Sequence, residues 1–342
     1  MKILGHTAFS FAMLIASYVH AQDIHFSQYY SAPLTINPAL TGGFAGDYRA
    51  GVNYRSQWVS VTVPYRTFDI YGDLNLGRRF LARNFWSIGA NLIADRAGDG
   101  DLSVTKFLAS GAYHFILDQG KNHDLSFGLQ AGWVQKSVDF SKFYFDNQWS
   151  DVGFDTGLPT GENFIKGSFG FVDVAAGVSY AYSGPKRFAA HAGLSIHHIN
   201  RPTDSFYGSD NRLGMRPVFN AGISYKLSDV ITVSPSIFYQ SQKKAHEFLA
   251  GGMIRYSLKG SDDPYVTTGN IYAGLYGRFG DAFIPVIGYE YRNWRLLMNY
   301  DVNTSALKPA TNGQGAFEIS LVFTGTSKKN QGVRIDLPCP RF

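Results

Sequence analysis

The sequence predicts an all-β fold, a transmembrane antiparallel β-barrel of about 14 strands. The first reason is composition, because the 342 residues include 27 Phe, 21 Tyr and 37 Gly. The second is that many short segments alternate between apolar and polar residues with the period of a strand, whereas no apolar run beyond residue 21 is long enough for a membrane-spanning helix. The third is that the longest connections all fall on one side of the predicted barrel.

The alternation is clearest between residues 315 and 324, near the end of the chain. Large apolar side chains occupy every second position there, and the positions between them are small or charged. A strand with lipid on one face and a polar lumen on the other requires this pattern. Fourteen segments are predicted as strands on this basis, with less regular alternation in the second and the eleventh: 48–56, 66–76, 84–95, 102–115, 123–135, 168–182, 187–198, 215–227, 230–240, 246–258, 268–278, 281–291, 293–302 and 314–324.

Connection lengths support a barrel with both ends in the periplasm. Barrels of the outer membrane have short periplasmic turns and long outer loops. The connections that would be periplasmic are mostly short, including 184–186, 227–229 and 292–293. The long connections all fall on the opposite side, namely 136–167, 200–214 and 303–313. The turn over 259–267 is an exception, because it is long for the periplasmic side.

A soluble β-sandwich is the alternative fold, because its strands also alternate and follow one another at similar spacing. A barrel is favoured because backbone polar groups in lipid must all be paired, so a sheet crosses a membrane only when its edges close on each other. No linker divides the region 48–324 into two domains.

The two ends of the chain differ from the barrel region. Residues 1–21 combine a basic start, an apolar run and small residues before Gln22, which predicts a cleaved signal peptide. An anchoring helix is the alternative, but the run is short for a bilayer span of about 20 residues. Residues 22–47 contain turn-forming prolines and glycines and are predicted to be a plug or docking segment. The barrel then covers 48–324, and 325–342 form a periplasmic tail.

The polar residues do not point to catalysis, a cofactor or a metal. His197 and His198 are adjacent, so alternation puts them on opposite faces of a strand, where they cannot chelate one ion together with His191. Ser195 and His197 share a face, but no motif marks them as a hydrolase pair, and polar residues lining a lumen account for them. The formal charge of +5 is spread along the chain and indicates no nucleic-acid site. Cys339 is the single cysteine, so no internal disulfide can form.

The N-terminal residues after the predicted signal carry a specific motif. Residues 22–42 read QDIHFSQYYSAPLTINPALTG, which resembles the opening of the PorP/SprF family, outer-membrane proteins of the type IX secretion system in the Bacteroidetes. Mature members of that family carry a Gln-Asp-Pro-x-Phe-Ser-Gln-Tyr run and then an Asn-Pro-Ala-x-x-Gly run. One departure is Ile24-His25, where the family usually has proline before a variable residue.

The resemblance continues to the last residue through stretches in the first hairpin, the last two strands and the tail. These stretches are Arg55-Ser56-Gln57-Trp58 followed by Tyr65-Arg66-Thr67, Tyr300-Asp301-Val302-Asn303 with Ser305 and Leu307, Gly315-Ala316-Phe317-Glu318, and Cys339-Pro340-Arg341-Phe342.

The resemblance implies a non-enzymatic component of type IX secretion and gliding motility in the outer membrane of a Gram-negative bacterium. It implies binding that supports the export or surface anchoring of one cargo protein, an adhesin, through its type B C-terminal domain. It also implies contact with the periplasmic parts of the secretion and gliding machinery. An outer-membrane diffusion channel or hydrophobic-solute transporter is the alternative function.

Candidate partner-binding residues come from three places. The N-terminal strip either plugs the lumen or docks a partner, and its candidates are Phe26, Ser27, Gln28, Tyr29, Asn37 and Pro38. The long outer loops supply Trp149, Phe154 and Phe164. The tail suggests an extended peptide that binds an edge or groove, with Arg334, Cys339, Pro340, Arg341 and Phe342.

Overall fold

The computed structural model contains a closed barrel of fourteen antiparallel strands, which confirms the predicted fold. It describes residues 23–61, 63–76, 84–151, 153–162, 166–184, 187–259, 267–306 and 308–326. The barrel strands are β1 (Tyr48–Gln57), β2 (Tyr65–Leu76), β3 (Phe85–Ala97), β4 (Leu102–Ile116), β5 (His123–Ser137), β8 (Ser168–Ser183), β9 (Phe188–His197), β10 (Arg216–Lys226), β11 (Ile231–Gln242), β12 (Ala245–Lys259), β13 (Thr267–Arg278), β14 (Ala282–Tyr291), β15 (Trp294–Asn303) and β16 (Gln314–Gly325).

The first and last strands close the barrel. β1 pairs with β16 from Tyr48 opposite Gly325 to Gln57 opposite Ala316. Each remaining barrel strand pairs with its neighbours along the chain, except that β5 pairs directly with β8. Closure leaves no sheet edge with unpaired backbone groups, as a strand-built membrane crossing requires.

Side chains on the strands alternate between the two faces as predicted. On β5, Phe127, Leu129 and Trp133 point outward, and Leu129 is 68% exposed. Ser126 and Gln130 lie between them and are buried in the interior. The outer face is therefore apolar and the inner face polar, which suits a wall between lipid and a polar lumen.

The long connections share one end of the barrel. The described residues of the connections 138–167, 198–215 and 304–313 all lie there, and we call it the long-loop end. The first connection contains a hairpin of two short strands, β6 (Trp149–Ser150) and β7 (Gly153–Phe154). The start of β1 and the end of β16 lie at the opposite end, the short-turn end, together with the turn over 292–293.

The residues before β1 form three short helical turns, Tyr29–Ser31, Pro33–Ile36 and Pro38–Leu40. Proline begins two of them, a position where its fixed φ and missing N–H group cost nothing. Within the part of the chain that the structure describes, no helix has both the length and the apolar character needed to cross a membrane.

Candidate functional site

The interior of the barrel is filled by the chain's own residues 23–44, which we call the lumenal segment. Its large apolar side chains from Phe26 to Phe44, such as Leu34, are at most 6% exposed. The segment begins beside His198, at the long-loop end, and reaches Asp73, near the short-turn end of β2. It therefore extends along most of the lumen, and the chain continues from it into β1.

The first anchor of the lumenal segment is a carboxylate on the last strand. Glu318 accepts the backbone N–H of Ser27 at 2.8 Å and that of Gln28 at 2.9 Å, one on each oxygen. The side chain of Gln28 donates to Asn299 at 2.6 Å and accepts from Ser320 at 2.7 Å. Because two backbone N–H groups and both side-chain amide atoms of this dipeptide are bonded to the wall, its position is fixed in both direction and register.

Two buried arginines complete this anchor. Arg55 on β1 pairs with Glu318, and Arg278 on β13 reaches Asp301 at 3.1 Å. The hydroxyl of Ser27 donates to Asp301 at 2.7 Å and accepts from Arg55 at 2.9 Å. Each arginine is 7% exposed or less, so the network lies in a low-dielectric interior. Losing one member would leave an uncompensated buried charge, which is costly.

Aromatic stacking follows directly after the charged anchor. The ring of Tyr29 stacks on Phe238 at 4.8 Å between centroids, and its hydroxyl donates to Ser236 at 2.7 Å. Tyr30 lies 5.5 Å from the ring of Tyr276. Burial raises the pKa of both Tyr29 and Tyr30, so the two phenols stay neutral. The contacts combine apolar burial with a satisfied hydroxyl on Tyr29.

Asn37 fixes the middle of the lumenal segment. Its side-chain amide donates to the carbonyl of Val178 on β8 at 3.1 Å, and its oxygen accepts the N–H of Ala39 at 2.9 Å. The wall makes room for it with glycine: a Cβ atom on Gly177 would lie 2.0 Å from the Asn37 oxygen. On β5, a Cβ atom on Gly128 would lie 2.3 Å from the backbone nitrogen of Ala39. Gly177 thus leaves room for the Asn37 side chain, and Gly128 permits the close approach of two backbones.

The last anchor lies at the short-turn end. Gly42 adopts a positive φ of 78° and donates its N–H to Asp73 at 2.8 Å. Asp73 also pairs with Arg49 on β1 through two hydrogen bonds of 2.9 and 2.7 Å. A side chain at Gly42 would be strained and would collide with Ser87. The conformation that turns the chain from the lumen into β1 therefore requires glycine.

Ser195 and His197 support the lumenal segment. The Ser195 hydroxyl donates to the carbonyl of Ile36 at 2.5 Å, and His197 contacts the same oxygen at 3.0 Å. Both lie on the inner face of β9, as predicted. His198 was expected on the opposite face, but this is wrong: β9 ends at His197, and His198 has a φ of 59° that turns its ring inward. The described residues contain no group of three or more His, Cys, Asp or Glu able to hold a metal ion.

Ion pairs of Asp23 hold the start of the lumenal segment. Burial alone would raise the pKa of Asp23, but Lys106, Arg216 and a hydrogen bond from His198 together hold it well below its usual value. His198 also bonds Asp173 at 2.8 Å. Burial alone would lower the pKa of His198, but its bonds to the two carboxylates raise it. The ionised forms of both groups are thus favoured by the fold.

The contact between Asp23 and His198 is expected to be most stable in mildly acidic solution. The contribution of Asp23 is complete above its unfolded pKa of about 4 and is lost as the pH falls through its lowered folded pKa. The contribution of His198 is complete below its unfolded pKa of about 6.5 and is lost as the pH rises through its raised folded pKa. Hydrogen exchange at residues 23–25, corrected for intrinsic rates, should be slower at pH 5 than at pH 9, and Asp23→Asn should remove the difference. Equal protection at the two pH values in the unaltered protein would contradict this expectation.

The motifs on which the family resemblance rests meet at the lumenal segment. Ser27 contacts Arg55, Asp301 and Glu318, which come from three separate motif stretches. Sequence reasoning did not propose these wall residues or Arg278 as part of the site. The sequence does mark them, because each is a charged residue on the predicted inward face of its strand, where burial requires a partner.

The predicted partner-binding residues of the N-terminal strip take the plug position, which is one of the two alternatives predicted for that strip. All six are buried in the lumen and contact the chain's own wall, so in this position they are not available to a partner: Phe26, Ser27, Gln28, Tyr29, Asn37 and Pro38. Trp149 and Phe154 are 69% and 43% exposed on the β6–β7 hairpin at the long-loop end. Phe164, Arg334 and the Cys339, Pro340, Arg341 and Phe342 end lie outside the described residues, as does the predicted signal peptide.

Comparison with known proteins gives one family and several distant structures. The family described as type IX secretion system membrane protein PorP/SprF matches residues 19–323. The toluene transporter TbuX of Ralstonia pickettii is 11% identical with a TM-score of 0.49, covering 86% of this chain and 94% of its own. A FadL homologue of Pseudomonas aeruginosa is 9% identical with a TM-score of 0.48, covering 84% and 92%. Among curated proteins there is no significant match.

Proposed function

This chain belongs to the PorP/SprF family of type IX secretion system membrane proteins, and on that premise we propose that it binds one secreted cargo protein at the cell surface. It is an outer-membrane component of type IX secretion. The cargo is an adhesin, held through its type B C-terminal domain for export or surface anchoring. The role is non-enzymatic, and the short-turn end meets periplasmic components of the secretion and gliding machinery.

The filled lumen is the observation that carries this proposal. A diffusion channel or hydrophobic-solute transporter needs a continuous path, and the lumenal segment occupies it with side chains bonded around the wall. Its buried ionic anchor also makes spontaneous release costly. The alternative function therefore requires the segment to leave the barrel, whereas a binding role uses the barrel as it stands.

The long-loop end supplies a surface suited to binding. In the described part of the connection between β5 and β8, three aromatic side chains are exposed, with Tyr144 at 71%, Trp149 at 69% and Phe154 at 43%. Trp and Tyr are enriched among the residues that contribute most of the binding free energy of protein interfaces. The rings of Tyr144 and Phe154 are already packed edge to face at 5.2 Å, so part of this surface is preorganised.

The double substitution Trp149→Ser and Phe154→Ser is expected to reduce surface display of the cargo adhesin at least tenfold, because two aromatic contacts worth about 1–2 kcal/mol each would be lost. Display is measured with an antibody on intact cells. The barrel itself should assemble normally, because the hairpin lies outside the wall.

Leu117→Ser provides the matched control, because it removes a 54% exposed apolar side chain from a turn at the short-turn end. It should leave display unchanged. Deleting the whole protein tests the proposal more broadly: if the cargo adhesin is still displayed, cargo binding by this barrel is wrong.

A further inference from the structure

A cavity of about 250 Å³ opens at the short-turn end of the barrel. It lies between the end of the lumenal segment, at Phe44, and the ends of strands β14 to β16. Arg292, Asn293 and Thr326 line it and are exposed, so the cavity is reached from the periplasmic side. The anchors at Glu318 and Asn37 do not line it, and the anchor at Asp73 contributes Arg49 to its wall.

Arg295 brings an unused positive charge to the cavity. It faces the lumen from β15, and its Nε atom is buried without a hydrogen-bond partner. Its cross-strand neighbour Glu290 would be the natural counter-ion. The carboxylate of Glu290 instead accepts from Asn270 at 2.6 Å and from Tyr272 at 2.9 Å, and no ion pair joins it to Arg295 among the described residues. A buried guanidinium N–H group without a partner is free to donate to an acceptor on a ligand.

The remaining charges around the cavity add to this attraction. Arg49 also lines it, although Asp73 already neutralises that guanidinium. Arg292 lines it from the turn, where it is exposed; its guanidinium lies over the ring of Tyr291, 5.2 Å from the centroid, and it has no ion-pair partner within the described part of the chain. Among the described residues, Glu290 is the single acidic residue of the lining. With Arg49 neutralised by Asp73, Arg292 and Arg295 face this one glutamate and leave a net positive charge.

We infer that this cavity binds a carboxylate side chain of an acidic peptide from a periplasmic partner. Arginine guanidinium groups present paired donors that match a carboxylate. The volume suits one acidic side chain with part of its backbone. In the sequence, Lys328 and Lys329 follow Thr326 closely, so the chain beyond it begins with the same sign of charge as the cavity and does not complement it. The periplasmic origin of the peptide rests on the proposed function.

The test uses the purified full-length mature protein in detergent and a fluorescein-labelled hexaglutamate peptide. Fluorescence anisotropy should show salt-sensitive binding to the unaltered protein and none of a hexaglutamine peptide. Arg295→Gln is expected to weaken hexaglutamate binding at least tenfold, because it removes the unpaired charge.

Arg292→Asn provides a second variant that leaves the barrel wall intact, since asparagine tolerates the positive φ of 54° at that turn. It should weaken binding severalfold. Arg201→Asn is its matched control, because Arg201 is also exposed and has a φ of 43°, but lies at the long-loop end. It should leave the affinity for hexaglutamate unchanged.

Three results would overturn the inference. One is equal hexaglutamate affinity in the unaltered protein and in Arg295→Gln. Another is displacement of the peptide by equimolar inorganic phosphate, which would assign the site to phosphate-bearing ligands. The third is binding that occurs only after residues 327–342 are removed, which would make the chain's own tail the occupant. None of them bears on surface display of the adhesin, so failure here is distinguishable from failure of cargo binding.

Discussion

Replacing Glu318 by alanine is expected to detach the start of the lumenal segment and destabilise the barrel by about 3–5 kcal/mol. The substitution removes the acceptor for two backbone N–H groups, those of Ser27 and Gln28, and leaves Arg55 without its nearest counter-ion. The free energy of unfolding in detergent, measured with guanidinium chloride, gives the magnitude. Limited proteolysis should then cut within residues 23–30, which are protected in the unaltered protein.

Two controls sharpen this expectation. Glu318→Gln keeps one acceptor and most of the volume, so an intermediate loss is expected. Glu162→Gln alters an exposed acid in a long-loop connection and should change stability by less than about 0.5 kcal/mol. If Glu318→Ala were as stable and as resistant to protease as Glu162→Gln, the carboxylate anchor would be refuted.

Gly128→Ala is expected to displace the middle of the lumenal segment and to cost about 1–3 kcal/mol. The added Cβ atom would lie 2.3 Å from the backbone nitrogen of Ala39 and the backbone carbon of Pro38. Backbone atoms cannot rotate out of the way, so the segment must shift as a whole. We expect a lower midpoint of thermal unfolding and faster hydrogen exchange at residues 36–40, and both can be measured on the purified protein.

Gly111→Ala is the matched control for this substitution. Gly111 lies on β4, next to the strand that carries Gly128, but the nearest atom to its Cβ position is the carbonyl oxygen of Ser87, 3.8 Å away. It should therefore leave both measurements unchanged or slightly improved. Equal effects of the two alanines would show that Gly128 is not in contact with the segment.

The strands were predictable because lipid and lumen impose alternation on every one of them. The segment predicted over 314–324 is strand Gln314–Gly325, and the one predicted over 123–135 is strand His123–Ser137. The short β6–β7 hairpin was not predicted, because two-residue strands have no periodicity to detect. His198 was misplaced because alternation holds only while the backbone stays extended, and it ends one residue earlier.

The course of the lumenal segment could not be derived from local pattern. Its residues are irregular, and its partners are remote: Ser27 and Glu318 are separated by 291 positions. Both residues were noted in motif stretches, but nothing in a single sequence shows that the stretches touch. The sequence therefore left candidates such as Gln28 and Asn37 between plugging the lumen and binding a partner, and the structure shows them bonded to the barrel wall.

Conductance in planar lipid bilayers tests the central claim most directly, namely that this barrel is closed by its own lumenal segment. The comparison is between the mature protein and a variant lacking residues 24–44, with assembly of both barrels checked by their heat-modifiable migration on gels. The mature protein should be silent, and the deletion variant should open steps of large, steady conductance. A mature protein that conducts steadily, at a level the deletion does not raise, would contradict a closed barrel and favour a diffusion channel.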